Sequence, residues 1–300
     1  MKNKFVTEKT KGLIFNLVVY LVAFLIALIP FFQIENLLLS ELAFTVTATV
    51  VIYVISFIIS DTSLYDPYWS VAPPVMLILA MIRWNYFYTN GKIIFMAVLA
   101  WSLRLTLNWI NTYKGIGRED WRYGDFRKKL KKLPFELLNF FGFMMMPTLV
   151  TYAGLIGAFY IISDERKTAS IYLGVFVMLL GVVLEHFADT AIHSFLETNR
   201  GSGLTCREGL WKYSRHPNYL GEMTFWTGIF IAYYSISPDT WIMGLGFVLI
   251  IAVFVFASIP LMEAHNLERR SDYAEYMKET SVLIPLLPKR NRRWNRGTES

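Results

Sequence analysis

The sequence predicts an all-α polytopic membrane protein, because its composition and its apolar runs differ from those of soluble domains. Of its 300 residues, 55% are hydrophobic and only 17% are charged, whereas soluble domains carry about 25% charged residues. Several apolar runs approach or reach the roughly 20 residues that cross the hydrocarbon core of a bilayer. We therefore predict about eight transmembrane helices, within a range of seven to ten, in a single membrane domain of residues 1–300.

The predicted spans follow one another without a long linker. The first follows the basic segment "MKNKFVTEKTKG", is longer than a signal-peptide core and has no evident cleavage site, so we interpret it as a retained span. The third and seventh are the weakest, since Pro73, Pro74 and several polar residues interrupt them. The predicted spans are 13–32, 42–60, 69–88, 92–110, 138–162, 169–189, 221–236 and 240–262.

The basic residues gather in three segments, 114–132, 200–215 and 269–296. With eight spans and a cytoplasmic amino terminus, all three segments and both termini face the cytoplasm, as the positive-inside rule requires. We expect the basic tail after Pro288 to lie along anionic membrane lipids. The formal charge of +6 is not gathered on one face, which argues against a nucleic-acid partner. The loop from Asp61 to Asp66 is acidic although it also faces the cytoplasm.

The sequence predicts no metal site. Cys206 is the single cysteine, which excludes an intramolecular disulfide and a multi-cysteine metal site. Glu185, Asp189 and His193 recur every four residues and could share an ion, but the chain has only four histidines, too few for a membrane di-iron enzyme. We interpret them as a polar stripe that lines an aqueous or cofactor cavity.

The segment "SLYDPYWSVAPP" places Asp66 between Tyr65 and Pro67. An aspartate followed by a proline is typical of the start of a helix, where the carboxylate caps the first turn. The alternative is that Asp66 and the Tyr65 phenol point into a cavity, as a proton donor or a carbonyl-binding pair. A partly buried carboxyl can keep its proton near neutral pH, as a donor must. Both interpretations remain open from the residues alone.

The segment "WSLRLTLNWIN" places three functional candidates on one helical stripe, because Trp101, Arg104 and Asn108 lie at i, i+3 and i+7. Arg104 could extend to the membrane interface. Alternatively, the guanidinium and the Asn108 amide could bind an anion or an amide.

The segment "GLWKYSRHPNYLGEMTFW" places ionisable groups at the start of a predicted helix. Pro217 biases His216 to an extended conformation and permits a helix to begin, with Glu222 in its second turn. Arg215 and His216 oppose the helix dipole at this end, so we expect an anion beside them. The alternative is that these are ordinary loop charges. Glu263 lies at membrane depth near the end of the last span.

Two blocks carry a family resemblance: "GLWKYSRHPNYLGE" and, about forty residues later, "IPLMEAHNLERRSDYAEYMKETSVLIP". They resemble the carboxy-terminal domain of the steroid 5α-reductase family, and most closely its bacterial branch of DUF1295-like membrane proteins. Sterol reductases and isoprenylcysteine carboxyl methyltransferases carry similar blocks. The strong match covers about residues 180–290, which the resemblance identifies as a cofactor-binding half. The segments "SLYDPYW", "WSLRLTLNW" and "EDWRY" extend a weaker match to about residue 60.

The resemblance implies an NADPH-dependent oxidoreductase of a bacterial inner membrane, which reduces a polarised carbon–carbon double bond in a steroid, sterol or other lipid enone. Hydride would go to the β-carbon while an acid near Asp66 binds the carbonyl oxygen. The alternatives are an S-adenosylmethionine-dependent membrane methyltransferase and a non-enzymatic lipid-binding protein. The resemblance leaves open the exact lipid, the preference for NADPH over NADH, and the oligomeric state.

Carried over by position, the substrate pair of the family falls on Tyr65 and Asp66, and its carbonyl-binding tyrosine falls on Trp101. Because Trp101 has no phenol, the donor role falls to Tyr65 or Asp66, and Trp69 joins Trp101 as a predicted substrate contact. The predicted cofactor contacts are Arg104, Asn108, Glu185, Asp189, Arg207, Arg215, His216, Asn218, Tyr219, Glu222 and Glu263.

Overall fold

A computed structural model describes residues 2–166 and 168–289, and the predicted lipid-bound tail beyond 289 lies outside them. Helices make up most of this part of the chain. They are α1 (Lys2–Gln33), α2 (Leu37–Ile59), α3 (Tyr68–Arg83), α4 (Thr89–Thr112), α5 (Trp121–Lys129), α6 (Lys132–Leu137), α7 (Met146–Ser163), α8 (Ile171–Thr198), α9 (Pro217–Ile236), α10 (Gly246–Val253), α11 (Ile259–Arg269) and α12 (Tyr273–Glu279). Short 3₁₀ turns span Thr62–Tyr65, Gly209–Lys212 and Pro238–Gly244, and π-helical turns span Leu138–Met145 and Phe254–Ser258.

Within the described residues, six helical segments are long and apolar enough to cross a membrane. They are Glu8–Gln33, Leu37–Ile59, Thr89–Thr112, Lys132–Ser163, Ile171–Thr198 and Pro238–Arg269. The prediction of an all-α polytopic membrane protein is therefore confirmed. The π-helical turns lie inside two of these segments and join α6 to α7 and α10 to α11.

The eight predicted spans all coincide with helical segments, but two of them are not among the six. The third was predicted to end at residue 88, whereas α3 has 16 residues and ends at Arg83. Asn85 then adopts a left-handed conformation with φ 57°, which stops a helix. A helix of this length spans only about 24 Å. The seventh coincides with α9, which carries Glu222 and several polar side chains.

The chain packs as two units, which we describe separately. Unit 1 comprises Met1–Val175 with Ile229–Phe247, and unit 2 comprises Phe176–Gly228 with Val248–Ser300. The predicted single domain and the predicted cofactor-binding half at 180–290 stay predictions.

In unit 1, small residues bring α1 and α2 close together. Ala23, Ala27 and Ala48 are fully buried, and small side chains let neighbouring membrane helices approach. Phe24 of α1 stacks on Phe44 of α2 with ring centroids 5.5 Å apart. The start of α3 packs here too, since the Tyr68 ring lies 6.0 Å from Tyr20 and 6.2 Å from Phe24 between centroids.

In unit 2, two glycines let α8 and α9 cross at short range. A Cβ atom added to Gly181 would lie only 2.6 Å from the Gly221 carbonyl oxygen, so a larger residue would force the helices apart. Just before α9, the amides of Arg215 and His216 donate to the carbonyls of Ser281 and Val282, at 2.8 and 3.2 Å. This pairing fixes the polar segment that begins α9.

Candidate functional site

The predicted site residues fall into two groups of contacts, one in each unit. We call Asp66, Asp120, Arg122 and Tyr123 the Asp66 cluster. It lies in unit 1, between the 3₁₀ turn that precedes α3 and the first turn of α5.

The Asp66 carboxyl does not cap the first turn but binds a phenol. The helix α3 has Pro67 at its N-cap and no side-chain cap, whereas Asp61 caps the preceding 3₁₀ turn, where its Oδ1 accepts a hydrogen bond from the Ser63 amide at 3.1 Å. Asp66 Oδ1 instead accepts a hydrogen bond of 2.5 Å from the Tyr123 hydroxyl. Tyr123 is buried, and its ring lies edge-on to Phe143 with centroids 5.1 Å apart. The phenol is therefore held in place by packing.

Burial raises the pKa of Asp66 to about 6, although the Arg122 charge and the Tyr123 hydrogen bond act in the opposite direction. Burial and the neighbouring Asp66 charge raise the pKa of Tyr123 well above its usual value of 10.0. The phenol thus keeps its proton, and Asp66 gains or loses one close to neutral pH. A carboxyl with this property can act as a general acid.

Acidic side chains near Asp66 bind backbone amides, which explains why this loop is acidic. Asp61 Oδ2 accepts from the Gly117 amide at 2.6 Å, and Glu119 Oε1 accepts from the Thr62 amide at 2.6 Å. Gly117 has φ 77°, a conformation that favours glycine. The two carboxylates therefore join the segment that precedes Asp66 to the loop that precedes α5, the helix that carries Tyr123.

Tyr65, the predicted partner of Asp66, points to another residue. Its hydroxyl forms a hydrogen bond of 2.8 Å with Thr148 Oγ1, and its side chain is 2% exposed. The phenol that contacts Asp66 comes from Tyr123, in the "EDWRY" segment. Sequence reasoning noted this segment but assigned it no role, although a tyrosine among charged residues outside the spans was an available signal. A catalytic role of Tyr65 stays a prediction.

Trp69, Trp101, Arg104 and Asn108 also lie in unit 1. The Trp69 and Trp101 rings meet edge to face at 5.9 Å, and Trp101 is fully buried. Arg104 and Asn108 are half-buried on the following turns of α4. Their substrate and cofactor roles stay predictions.

In unit 2, Arg215 is buried and its guanidinium binds three groups of the same chain. Nε donates to Glu263 Oε1 at 2.7 Å, and Nη1 donates to the carbonyls of Met277 and Thr280 at 2.8 and 2.7 Å. Arg215 thus ties the start of α9 to α11 and to the end of α12.

The same carboxylate also meets His216. Its Nε2 lies 3.3 Å from Glu263 Oε1, and its ring stacks on Tyr219 with centroids 5.2 Å apart and planes 13° apart. We call Arg215, His216, Tyr219 and Glu263 the Arg215 cluster. The anion that the sequence predicts beside Arg215 and His216 is present within the chain as the Glu263 carboxylate.

Two more of the predicted cofactor contacts in unit 2, Arg207 and Glu222, have hydrogen-bond partners within the chain. Arg207 Nη1 donates to Glu279 at 2.6 Å, and its Nε lies 3.6 Å from Asp272. Glu222 accepts from the Trp226 indole at 2.8 Å.

Further along unit 2, Glu185 is buried beside Gly221, while Asp189 and Asn218 are half-buried. Over residues 2–166 and 168–289, the His, Cys, Asp and Glu side chains form no group of three or more that could hold a metal ion.

A family model described as "Protein of unknown function (DUF1295)" matches residues 52–280. The chain belongs to this family. The matched region includes both clusters. The comparisons with curated proteins and with solved structures gave no match.

In this DUF1295 protein, the hydrogen bonds described for Arg215 use Nε and Nη1. Guanidinium groups in proteins also bind phosphate oxygens. The Asn218 amide and the Tyr219 ring follow Arg215 in the sequence. The roles of these three residues as cofactor contacts stay predictions.

Proposed function

We propose that this DUF1295 protein is a membrane reductase that uses NADPH to reduce a polarised carbon–carbon double bond in a lipid, such as a steroid or sterol enone. The observation that carries the proposal is the Asp66–Tyr123 pair, in which a carboxyl with a pKa of about 6 accepts a hydrogen bond of 2.5 Å. Enone reduction requires a proton donor, and a carboxyl with a pKa of about 6 is protonated below pH 6 and keeps a minor protonated fraction at pH 7. The resemblance of the sequence to the steroid 5α-reductase family supports the same reaction.

The reaction replaces the carbon–carbon π bond with two carbon–hydrogen bonds and consumes one proton. Bound NADPH supplies the hydride that the β-carbon receives. Asp66 would donate a hydrogen bond to the carbonyl oxygen as negative charge develops there, and the proton that it gives up would be the one that ends on the α-carbon, in the second carbon–hydrogen bond. Tyr123 holds the Asp66 carboxyl in a fixed position throughout. Solvent then restores the proton on Asp66.

The residues of unit 2 would bind the cofactor. Arg215 would contribute its Nη2 group to a phosphate, and His216 would be fixed in place by its stack on Tyr219. Glu263 already neutralises much of the Arg215 charge. We therefore propose that Arg215 holds the start of α9 in position as well as attracting a phosphate of the cofactor.

We further propose that the protein lies in a bacterial inner membrane with both termini in the cytoplasm. The basic segments that flank the spans support this orientation, and the same segments would contact anionic lipids. Protease protection of a carboxy-terminal tag in inverted membrane vesicles tests it. Cleavage of the tag is expected, and complete protection would contradict the orientation.

Thermal unfolding of the detergent-purified protein tests the proposed function. NADPH at 100 times its dissociation constant stabilises the folded state by about 2.7 kcal/mol, so we expect a clear rise in melting temperature with NADPH and none with S-adenosylmethionine. NADH, measured in parallel, gives the cofactor preference. Asp66→Asn serves as the matched variant, since it should keep the full NADPH shift while it loses turnover.

Two outcomes contradict the proposal. Stabilisation by S-adenosylmethionine alone would identify a methyltransferase. No shift with either cofactor would favour a lipid-binding protein without catalytic activity.

A further inference from the structure

A stripe of polar side chains runs along the buried face of α2. Glu41, Thr45 and Thr49 recur every four residues and therefore share one helix face, and Ser56 continues the stripe. All four residues are at most 2% exposed. Polar groups inside an apolar span are costly and usually functional, so their partners decide what the stripe does.

The hydroxyls of this stripe connect three helices. Thr45 Oγ1 and the Tyr68 hydroxyl lie 2.9 Å apart, Thr49 Oγ1 and Thr148 Oγ1 lie 2.8 Å apart, and the Tyr65 hydroxyl lies 2.8 Å from Thr148 Oγ1. We call these five hydroxyls the hydroxyl chain. It consists of two hydrogen-bonded groups, Thr45 with Tyr68 and Thr49 with Thr148 and Tyr65, and these three contacts do not join one group to the other. Each hydroxyl can donate and accept hydrogen bonds, so each can receive one proton while it releases another. The second group ends at Tyr65, which precedes Asp66 in the sequence.

Glu41 differs from these hydroxyls. Its side chain is 0% exposed, and neither carboxyl oxygen has a hydrogen-bond partner among the residues that the structure describes. A carboxylate without donors is far more costly to bury than a neutral carboxylic acid. The surroundings therefore favour the acid form.

The ionisable groups that act on Glu41 from neighbouring helices are Arg83, at the end of α3, and Tyr152, in α7. Arg83 donates to the carbonyls of Phe31 and Phe32. The Tyr152 hydroxyl donates to the Leu38 carbonyl at 2.8 Å. Both groups thus lie near Glu41 while their described hydrogen bonds go elsewhere.

A partly open cavity of about 190 Å³ lies beside the turn that precedes Glu41, lined by Asn36, Leu37 and Leu38 together with Tyr86 and Ser163. Its volume has room for several waters at about 30 Å³ each. Water can therefore come within about one helical turn, 5.4 Å, of the Glu41 position.

We propose that Glu41 is a proton-binding carboxylic acid inside the membrane, and that the hydroxyl chain connects it to the Asp66 end of unit 1. A proton enters from water in the cavity, and water bridges both the helical turn between Glu41 and Thr45 and the step from Tyr68 to Thr49. Each hydroxyl then gains one proton and passes one on, so no electron is transferred. The proton-binding role rests on the geometry of unit 1 alone. Supply of that proton to a reductase rests on the proposed function.

Infrared spectroscopy of protein labelled with carbon-13 at the glutamate side-chain carboxyl tests the first part. At pH 8 the wild type should show a carbonyl band of a protonated acid that shifts with the label. Glu41→Gln should lose this labelled band. Glu41→Asp should lose it too, because it keeps a carboxylic acid at position 41 but only glutamate carries the label. A wild type without any such band would overturn the proposal, even if both variants fail to fold. A band that both folded variants retain would overturn it too.

The second part is tested by the frequency of the same band. Thr45→Val removes the first hydroxyl of the chain with little change in shape, and we expect the Glu41 band to shift. Ser56→Ala is the matched control, because Ser56 lies on the same stripe but donates to the Asp61 carbonyl at 2.8 Å. Equal bands in both variants would disprove the connection. Neither measurement needs NADPH or a substrate, so failure of the proposed function leaves both results interpretable.

Discussion

The two clusters place a carboxyl group in opposite surroundings. Asp66 is bound by the neutral phenol of Tyr123 at 2.5 Å, and burial raises its pKa to about 6. Glu263 lies 2.7 Å from the Arg215 guanidinium and 3.3 Å from the His216 ring. The first arrangement keeps a proton available, whereas the second fixes a negative charge. We therefore propose that the Asp66 cluster donates the proton and that the Arg215 cluster holds the start of α9 in place.

The largest effect is expected from Asp66→Asn, which removes the proton donor but keeps the shape of the side chain. General-acid catalysis contributes about 10² to 10⁴ in rate, so enone-dependent NADPH oxidation should fall by that factor with NADPH affinity unchanged. Arg104→Ala should show the reverse pattern. Asp125→Asn, on the same helix as Tyr123, is the control. If Asp66→Asn and Arg104→Ala have equal rates and equal affinities, the assignment is wrong.

Arg215→Met should cause the largest loss of stability. It leaves the Glu263 carboxylate and the carbonyls of Met277 and Thr280 without their donor. Breaking a buried ion pair from one side costs about 3 to 5 kcal/mol, which thermal or denaturant unfolding in detergent measures. Lys212→Met removes an exposed charge three residues earlier and should change stability by about 0.5 kcal/mol or less. Equal stability of the two variants would mean that the pair with Glu263 is not structural.

Tyr123→Phe should have a smaller effect on rate and a distinct effect on pH dependence. The hydrogen bond from Tyr123 lowers the pKa of Asp66, so its removal should move the midpoint of the pH–rate profile above about 6. We expect about a tenfold fall in rate, because the carboxyl is less well positioned. Tyr65→Phe is the comparison for the midpoint and not for the rate, since the hydroxyl that it removes binds Thr148 and not Asp66. A midpoint that moves in Tyr65→Phe and not in Tyr123→Phe would reverse the roles of the two phenols.

The smallest effect concerns stability against pH. The pKa of Asp66 rises from 3.8 to about 6 on folding, so its contribution to stability is full below pH 3.8 and is lost as the pH approaches 6. The asparagine side chain of Asp66→Asn does not titrate, so between pH 3.8 and about 6 the wild type loses stability and Asp66→Asn does not. The free energy of unfolding of Asp66→Asn relative to wild type should therefore increase by about 1 kcal/mol. This value is small because solvent screens a partly exposed carboxyl. Melting temperatures at pH 4, 6 and 8 measure this. A difference that is constant with pH would indicate an ordinary aspartate.

The fold could be predicted because the deciding signal is local. Apolar runs predicted each span, and the two weakest predictions, which coincide with α3 and α9, are the helices that are too short or too polar to be among the six. The end of α3 could not be read from hydropathy, because it depends on the left-handed conformation of Asn85.

The site could be predicted only in part, because its contacts join residues that are distant in sequence. Hydropathy and spacing identified Asp66 and Arg215 as polar residues that need partners. They could not show that Tyr123, which lies 57 residues from Asp66, is its partner, or that the loop contact between Asp61 and Gly117 brings the two together. The anion expected beside Arg215 came from Glu263, 48 residues away. Such pairings depend on how the helices pack.

Carbon-13 NMR of protein labelled at the aspartate side-chain carboxyl tests the central claim most directly. The resonance that Asp66→Asn lacks identifies Asp66, and its shift is followed from pH 3 to pH 9 in detergent. We predict a single titration with a midpoint near 6. A midpoint close to the ordinary value of 3.8 would mean that Asp66 has lost its proton well below pH 6, and it would contradict the assignment of Asp66 as the proton donor.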